Sequence, residues 1–203
     1  MPLLVLASAS PRRLQLLRDL GLNFLSAPTQ VEEPDPTPED GAQPHFYVER
    51  LARLKAEACH KEGLIIAADT TVVFDGEILN KPANEDEAFE MLSRLRGQTH
   101  RVLTGVCLRL GEEYWIEHEE TRVTFARASD EWLRSYISTG EPLDKAGAYG
   151  AQGRGALLIE RIEGDYFNVV GLPLFRLSKM LEACGVDVSH EWHHHTQAFE
   201  AQK

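Results

Sequence analysis

Two serines and two arginines stand close together near the amino terminus, and their chemistry suits a polyphosphate ligand. Ser8, Ser10, Arg12 and Arg13 fall within six residues. Guanidinium groups bind phosphate oxygens in pairs. A helix that begins at Pro11, with Ser10 as its N-cap, would add free backbone N–H groups and the positive end of the helix dipole. A capped surface helix with solvated arginines is the alternative, and this segment alone does not decide between the two.

Asp69 is the second candidate. It follows an apolar run, residues 64–68, that predicts a buried strand, and it precedes Thr70 and Thr71. Ligands of open α/β sheets bind beyond the carboxyl ends of strands, where a carboxylate can hold a divalent metal or act as a base. An aspartate that only caps a turn would give the same pattern.

Four further charged residues and one histidine are weaker candidates when each is taken alone. Lys81 follows a predicted hairpin, Lys55 lies on a predicted helix face, and Glu32 and Glu33 lie in a proline-rich acidic loop. Such charges are more often solvated than functional. His100 could act as a general base, although a single histidine beside a turn is more often structural.

The elements that must position these residues indicate an α/β protein. Helices are predicted from Pro11 to about Leu20, at 46–58 and 85–95, from Ser129, and at 172–184. A loop is predicted at 28–44 and a hairpin at 72–79. Strands are predicted at 3–7, 23–27, 64–68, 101–110, 114–125, 156–162 and 166–170. Strands alternate with helices early and hairpins dominate the middle, which favours a mixed sheet flanked by helices.

Composition narrows the classes of function. The 203 residues favour one domain, and 43% of them are hydrophobic, enough for a core. The net charge of −11 argues against general binding to a nucleic acid backbone, which needs a basic face. An anionic substrate would have to be held by cations or a metal gathered locally. P-loop, dinucleotide-binding, zincin and hydrolase-elbow motifs do not occur in the sequence.

The expected location is the cytoplasm, without a membrane partner. No stretch approaches the roughly 20 apolar residues of a membrane helix, and the first apolar run is too short for a signal peptide. Three separated cysteines form neither a disulfide framework nor a zinc motif. A single domain is predicted at 1–186, followed by a polar, unstructured tail at 187–203 that carries His193, His194 and His195.

Eight short segments run in order along most of the chain: LASASPRR (6–13), Glu33, LARLKA (51–56), AADT (67–70), Lys81-Pro82, GQTHRVLTGV (97–106), DKAGAYGAQG (144–153) and NVVGLP (168–173). Taken together, these segments resemble the Maf family of nucleoside triphosphate pyrophosphatases. The resemblance implies a fold similar to that of Maf and inosine-triphosphatase proteins, with a mixed twisted sheet flanked by helices and a cleft between two lobes. It also implies hydrolysis of the α–β phosphoanhydride of a nucleoside triphosphate to the monophosphate and pyrophosphate.

Within the family, the segment at 144–153 is similar to the branch that acts on dTTP and UTP, and differs from the branch that acts on 7-methyl-GTP. By position, Arg12, Thr70 and Gln152 match residues associated with base selection in that branch. Asp69 matches the residue assigned as proton acceptor. Asn80 departs mildly from the family pattern, in which glycine is frequent at that position.

This resemblance and the chemistry of the side chains give an expected site. Glu33 and Asp69 would hold a divalent cation, with Mg²⁺ first because it prefers carboxylate, water and phosphate oxygens, and Mn²⁺ or Co²⁺ as alternatives. The phosphate chain is expected to contact Ser8, Ser10, Arg12, Arg13, Lys55 and Lys81.

Alternative functions stay open at this point. The enzyme could remove non-canonical nucleotides, or act chiefly on methylated or otherwise modified nucleotides. The chain could instead be a nucleotide-binding regulator of cell division or septum formation. Family members are often homodimers, so the expected partners are a nucleoside triphosphate substrate and a second copy of the chain.

Overall fold

The computed structural model describes residues 2–189 and Trp192. Its sheet has seven strands, in the order β2-β1-β3-β5-β6-β7, with β4 paired to β3. The first three strands in that order are parallel to one another, and the remaining pairings are antiparallel. The strands are β1 (Leu4–Leu6), β2 (Phe24–Ser26), β3 (Leu64–Phe74), β4 (Glu77–Leu79), β5 (Thr99–Leu110), β6 (Glu113–Phe125) and β7 (Ile159–Glu163).

Helices cover both faces of this sheet. They are α1 (Pro11–Asp19), α2 (Pro38–Ala42), α3 (Pro44–Glu57), α4 (Glu85–Leu95), α5 (Asp130–Ile137), α6 (Tyr166–Val170) and α7 (Leu174–Ala183). Short 3₁₀ turns at Glu141–Asp144, Ala146–Ala148 and Gly153–Leu158 join α5 to β7. Apolar residues of α1, α4, α5 and α7 share one core with one face of the sheet, and α3 packs on the other face. The predicted mixed sheet flanked by helices is confirmed.

Helix α3 lies very close to β5 because Gly105 has no side chain. A Cβ atom at Gly105 would stand only 2.3 Å from the carbonyl oxygen of Val48. The backbones can therefore approach each other here, which only glycine permits. Lys55 lies two turns further along the same helix, and this packing brings it over the middle of the sheet.

A gap opens in the middle of the sheet, along one edge of β3. On that edge, Leu64–Ile66 pair with β1 and Val72–Phe74 pair with β4. Residues 67–71 lie between, and no described strand pairs with them there. On the other edge, β5 pairs with β3 continuously from Leu64 to Val73. The gap is therefore a cleft with a rigid strand as its floor.

Two predicted strands differ from the structure. Strand β3 does not end at Ala68 but continues through Asp69 to Phe74, because β5 supports its whole length. Residues 166–170 form α6 and not a strand. Asp165 caps this helix by accepting a hydrogen bond from the Phe167 N–H at 2.7 Å, and an apolar run of five residues is too short to show a period.

The predicted loop at 28–44 contains a short helix, and the last predicted strand begins late. Thr37 and Asp40 form a capping box in which each side chain accepts a hydrogen bond from the backbone N–H of the other, and α2 follows from it. Residues 153–158 form a 3₁₀ turn, so β7 starts only at Ile159.

After α7 the described chain stays near the body of the protein. Val186 is buried and Val188 packs against the core. The Trp192 indole N–H donates a hydrogen bond to the carbonyl oxygen of Leu20 at 2.7 Å. His193, His194 and His195, on which a weak metal site could be placed from the sequence, lie outside the described residues. No helix in the described part of the chain is long and apolar enough to span a membrane.

Candidate active site

The gap along β3 holds a cavity of about 380 Å³, and the predicted site residues converge on it. This volume lies within the range of small-molecule sites. Nine of the ten residues predicted from the sequence line the cavity: Ser8, Ser10, Arg12, Arg13, Glu33, Lys55, Asp69, Thr70 and Lys81. Gln152 does not line it, although its neighbours Gly150 and Ala151 do. Gln152 is exposed to solvent beside the cavity.

The amino terminus of α1 opens onto the cavity. Ser10 is its N-cap and accepts a hydrogen bond from the Arg13 N–H, while Pro11 occupies the first turn. Ser8, buried just before it, accepts a hydrogen bond from the Ser10 N–H at 3.1 Å. The helix terminus therefore presents hydroxyls, orphan N–H groups and a positive dipole to a ligand, as the sequence predicts.

Arg13 is anchored at the back of the cavity by two acceptors. Its Nε donates to the Gly171 carbonyl oxygen at 2.7 Å, and its Nη2 donates to Thr70 Oγ1 at 2.9 Å. Thr70 Oγ1 lies 2.9 Å from Thr104 Oγ1, whose hydroxyl also bonds the Asn168 carbonyl oxygen at 3.0 Å. Burial lowers the pKa of the Arg13 guanidinium below its ordinary value, and the nearby Asp69 carboxylate opposes that shift.

Lys55 joins two carboxylates from distant parts of the chain. Its Nζ lies 2.5 Å from Asp69 Oδ1 and 2.8 Å from Glu33 Oε1. The side chains of Lys55 and Asp69 are only 17% and 10% exposed, so water screens this ion pair weakly. Sequence analysis places Lys55 on phosphate, yet in this structure its ammonium group stands between the two proposed metal ligands.

Consecutive residues of β3 reach the cavity from opposite faces of the sheet. Ile65 and Ala67 point toward α3, so Asp69 does too and meets Lys55. Ile66 and Ala68 point to the opposite core, so Thr70 does too and meets Arg13. Both can line one cavity because the sheet is open beside them. The expectation that Asp69 lies at the end of its own strand is therefore wrong, because β3 continues to Phe74. It is the neighbouring strand β1 that ends beside Asp69.

The cavity is locally cationic although the protein is acidic. Five cationic side chains line it against three carboxylates, those of Glu33, Asp69 and Asp144. Arg12 Nη1 lies 3.5 Å from Asp144 Oδ2. Lys81 is exposed and makes no hydrogen bond or ion pair with the described residues. An anionic ligand is therefore attracted to this cavity. A protein of net charge −11 is expected to gather cations locally if it binds an anion, and the cavity does so.

Lys145 is the cation that sequence analysis missed. It lies in the segment 144–153 that resembles the family, but no feature of the sequence separates it from a solvated lysine. In the structure it lines the cavity, its side chain is 13% exposed, and its Nζ lies 2.5 Å from both Asp144 Oδ1 and the Glu141 carbonyl oxygen.

His100 lies outside this cavity. It is buried, and its Nε2 lies 2.7 Å from Tyr149 Oη. Burial lowers the pKa of its imidazole to about 4. His100 thus supports the cavity wall through Tyr149 and does not face a ligand, which argues against the alternative of a general base.

The donor set at Glu33 and Asp69 fits a divalent cation that arrives with a phosphate ligand. Both carboxylates already converge on a single cationic atom, Lys55 Nζ. No group of three or more His, Cys, Asp or Glu side chains within the described chain could hold a metal without other ligands. Mg²⁺ is commonly held by one or two carboxylates completed by water and substrate phosphates, so two carboxylates suffice.

Comparison with known proteins agrees with these observations. The family model described as Maf-like protein matches residues 3–184. A dTTP/UTP pyrophosphatase of Symbiobacterium thermophilum is 50% identical over 188 residues, which cover 91% of this chain and 95% of the relative. A dTTP/UTP pyrophosphatase of Methanosarcina mazei is 50% identical over 192 residues, 93% of this chain and 97% of the relative. One of Koribacter versatilis is 50% identical over 186 residues, 90% of this chain and 95% of the relative. Since the match spans nearly the whole of the described domain, the chain belongs to the Maf family.

Proposed function

We propose that this chain hydrolyses dTTP and UTP to the nucleoside monophosphate and pyrophosphate. The proposal is supported by relatives of that name at 50% identity over about nine-tenths of the chain. It is also supported by the cavity, which gathers cations from distant segments in an acidic protein. One observation carries the proposal. The cluster of Lys55, Glu33 and Asp69 lines the same cavity as the amino terminus of α1, whose free N–H groups can bind phosphate.

The phosphate chain would lie between α1 and the opposite cavity wall. The backbone N–H groups and the hydroxyls of Ser8 and Ser10 would donate hydrogen bonds to it, and Arg12, Arg13 and Lys81 would neutralise its charge. Lys55 would exchange a carboxylate for a phosphate oxygen as the ligand enters. In phosphoryl transfer, such positioning and electrostatic stabilisation supply most of the rate.

Asp69 would accept the proton of the attacking water. Its carboxylate is buried, and its Oδ1 is oriented by Lys55 Nζ. A positioned general base contributes about 10²- to 10⁴-fold to a rate. Glu33 and Asp69 would hold a divalent cation, Mg²⁺ first and Mn²⁺ or Co²⁺ as alternatives. When bound, that cation stabilises negative charge on the phosphate oxygens and the leaving group.

The base would be selected beside Thr70. Arg12, Thr70 and Gln152 are the proposed selecting residues. Arg12 and Thr70 line the cavity, and Gln152 stands at its rim, where a nucleobase extending from the phosphate site would pass. The amide of Gln152 can both donate to and accept from a pyrimidine edge.

A substrate panel tests the proposed function. Canonical and modified nucleoside triphosphates are incubated with the protein and MgCl₂, MnCl₂ or CoCl₂, and phosphate and pyrophosphate are measured separately. We expect pyrophosphate release from dTTP and UTP ahead of all purine triphosphates. Release of phosphate alone, or no hydrolysis with any of the three metals, would contradict the proposal. A faster rate on a methylated pyrimidine triphosphate would instead assign the chain to removal of modified nucleotides.

Two expectations from the sequence stay predictions. A homodimer is tested by the mass of the protein in solution, and a cytoplasmic location by fractionation of cells that express it.

A further inference from the structure

We propose that Tyr136 and Glu141 are positioning residues. They hold in place the part of the cavity wall that selects the nucleobase, and this inference rests on the proposed function. This wall is the loop of residues 150–155, called the base loop below. Neither Tyr136 nor Glu141 lines the cavity, so both act through the loop.

The base loop is anchored at both of its ends by these two side chains. At its start, the Gly150 N–H donates to Tyr136 Oη at 3.3 Å. At its end, the N–H groups of Arg154 and Gly155 donate to the two oxygens of Glu141 at 3.1 and 3.0 Å. The anchors are joined, because Tyr136 Oη donates to Glu141 Oε1 at 3.0 Å. The segment between them carries Gln152.

The two ends of the base loop also touch each other. A Cβ atom on Gly155 would stand 2.5 Å from both the Gly150 carbonyl oxygen and Tyr136 Oη. Only glycine allows this approach. The loop is therefore closed at its base, and its tip has little freedom to move while the anchors hold.

The burial and the charge of Glu141 suit it to anchor the base loop. Its side chain is 17% exposed, and a carboxylate that accepts several N–H and O–H bonds holds them strongly. Burial raises the pKa of Glu141, but the N–H donors of Gly155 and Arg154, the Tyr136 hydroxyl and the charge of Lys145 together bring it below its ordinary value. The group is thus ionised at neutral pH.

The wall next to the base loop suits a nucleobase better than a phosphate. Gly150 and Ala151 line the cavity together with the apolar residues Val102, Val169 and Val170. The methylene groups of Lys145 pack against Gly150, while its ammonium group is held by Asp144 and the Glu141 carbonyl oxygen. Aromatic bases bind between apolar walls with a few polar groups at the edge. A wall held in one place admits a pyrimidine and excludes a larger purine, and a loosened wall discriminates less.

The side chain and the backbone of Glu141 serve different parts of the cavity. Its carbonyl oxygen accepts from Lys145 Nζ, whereas its carboxylate holds the base loop. A side-chain substitution therefore changes the base loop and leaves the Lys145 contact in place. We expect an effect on the choice of base and on KM, with little effect on kcat.

The experiment compares Glu141→Gln, Glu141→Ala and Tyr136→Phe with the wild-type full chain. Glu131→Gln, an exposed acid on the preceding helix, is the control. Two ratios are measured: kcat/KM for dTTP divided by that for dATP, and the dissociation constant of dATP divided by that of dTTP, the second in EDTA. We expect Glu141→Ala to lower both ratios about tenfold, since it removes both charge-assisted bonds from Glu141 to the base loop and its bond from Tyr136. Glu141→Gln and Tyr136→Phe should lower them less, and Glu131→Gln should leave them unchanged.

The outcomes separate this inference from the proposed function. Ratios within twofold of wild type in Glu141→Ala, or an equal loss of kcat on both nucleotides, would overturn the positioning role. If Glu141→Ala does not fold, unchanged ratios in Glu141→Gln would overturn it as well. A wild-type chain that binds dTTP more tightly than dATP without hydrolysing it contradicts the proposed function only, because the ratio of dissociation constants still tests the loop. A wild-type chain that neither binds nor hydrolyses either nucleotide, with or without MgCl₂, overturns both.

Discussion

Lys55 Nζ lies 2.5 Å from Asp69 Oδ1, with both side chains largely withdrawn from water. The same ammonium group lies 2.8 Å from Glu33 Oε1. One cation thus compensates two carboxylates, and removing it leaves the buried Asp69 carboxylate without this partner in a poorly screened place, whereas Glu33 is 42% exposed. Since Glu33 and Asp69 are also the proposed metal ligands, Lys55 and a metal would compete for the same two carboxylates.

Replacing Lys55 should therefore have opposite effects on metal and on substrate. In Lys55→Met, we expect tighter binding of Mn²⁺ without nucleotide, because two carboxylates become free to coordinate it. We also expect KM for dTTP to rise about tenfold, because a phosphate contact is lost. Calorimetric titration with MnCl₂ and steady-state kinetics measure the two effects, with Lys61→Met, an exposed lysine, as control. Unchanged or weaker Mn²⁺ binding would show that Lys55 and the metal do not share these ligands.

Asp69→Asn tests the proposed base while keeping the shape of the side chain. We expect kcat to fall about a thousandfold, in the range of a lost general base, with dTTP binding retained within a few-fold. Asp75→Asn is the matched control, since Asp75 is exposed at the end of the same strand and asparagine tolerates its positive φ of 50°. Turnover by Asp69→Asn near the wild-type rate would remove Asp69 from catalysis.

Arg13 should not be replaceable by lysine. Its guanidinium bonds the Gly171 carbonyl oxygen and Thr70 Oγ1 at once, which a single ammonium group cannot reproduce. We expect kcat/KM for dTTP to fall about a hundredfold in Arg13→Ala, and Arg13→Lys to recover little of it. Arg18→Lys, an exposed arginine on the same helix, should behave as wild type. A kcat/KM equal to wild type in Arg13→Ala would place the phosphate contacts elsewhere.

Local sequence predicts the amino-terminal part of this site well. Ser10, Pro11, Arg12 and Arg13 form a helix start whose caps, first turn and charges all follow from neighbouring residues. Local signals of this kind do not depend on the remainder of the fold. The same reasoning locates the long strands β5 and β6 and the helices α3 and α4, because their apolar patterns are long enough to read.

The sequence predictions are wrong where contacts with distant parts of the chain determine the local structure. Asp69 lies inside β3 because β5 extends the strand and because β1 and β4 pair with separate parts of its other edge. Residues 166–170 form a helix around Asn168, whose buried side chain bonds β5 and β6. Neither relationship is visible in a window of the sequence. For the same reason, the role of Glu141 depends on contacts 13 and 14 residues away.

His100 shows why a histidine in a matching motif need not face the ligand. It is only 1% exposed, its ring packs edge-on against Phe125 and Tyr149, and its Nε2 contacts Tyr149 Oη. Its Nδ1 is buried without a hydrogen-bond partner among the described residues. A proton there would be a buried charge with nothing to stabilise it, and burial accordingly lowers the pKa of His100 to about 4.

This lowered pKa predicts how stability depends on pH. The unfolded chain binds a proton at His100 below about pH 6.5, whereas the folded chain binds it only near pH 4. The free energy of unfolding should therefore fall as the pH drops from 6.5 to 4, by up to about 3 kcal/mol, with no contribution above pH 7. Urea unfolding at pH 7, 6 and 5 measures this loss in wild type and in His100→Leu/Tyr149→Phe, whose apolar pair cannot titrate. Other groups titrate in both proteins, so the free energy of unfolding of wild type minus that of the variant should fall steadily below pH 6.5. Parallel curves would mean that His100 already carries its proton in the folded protein.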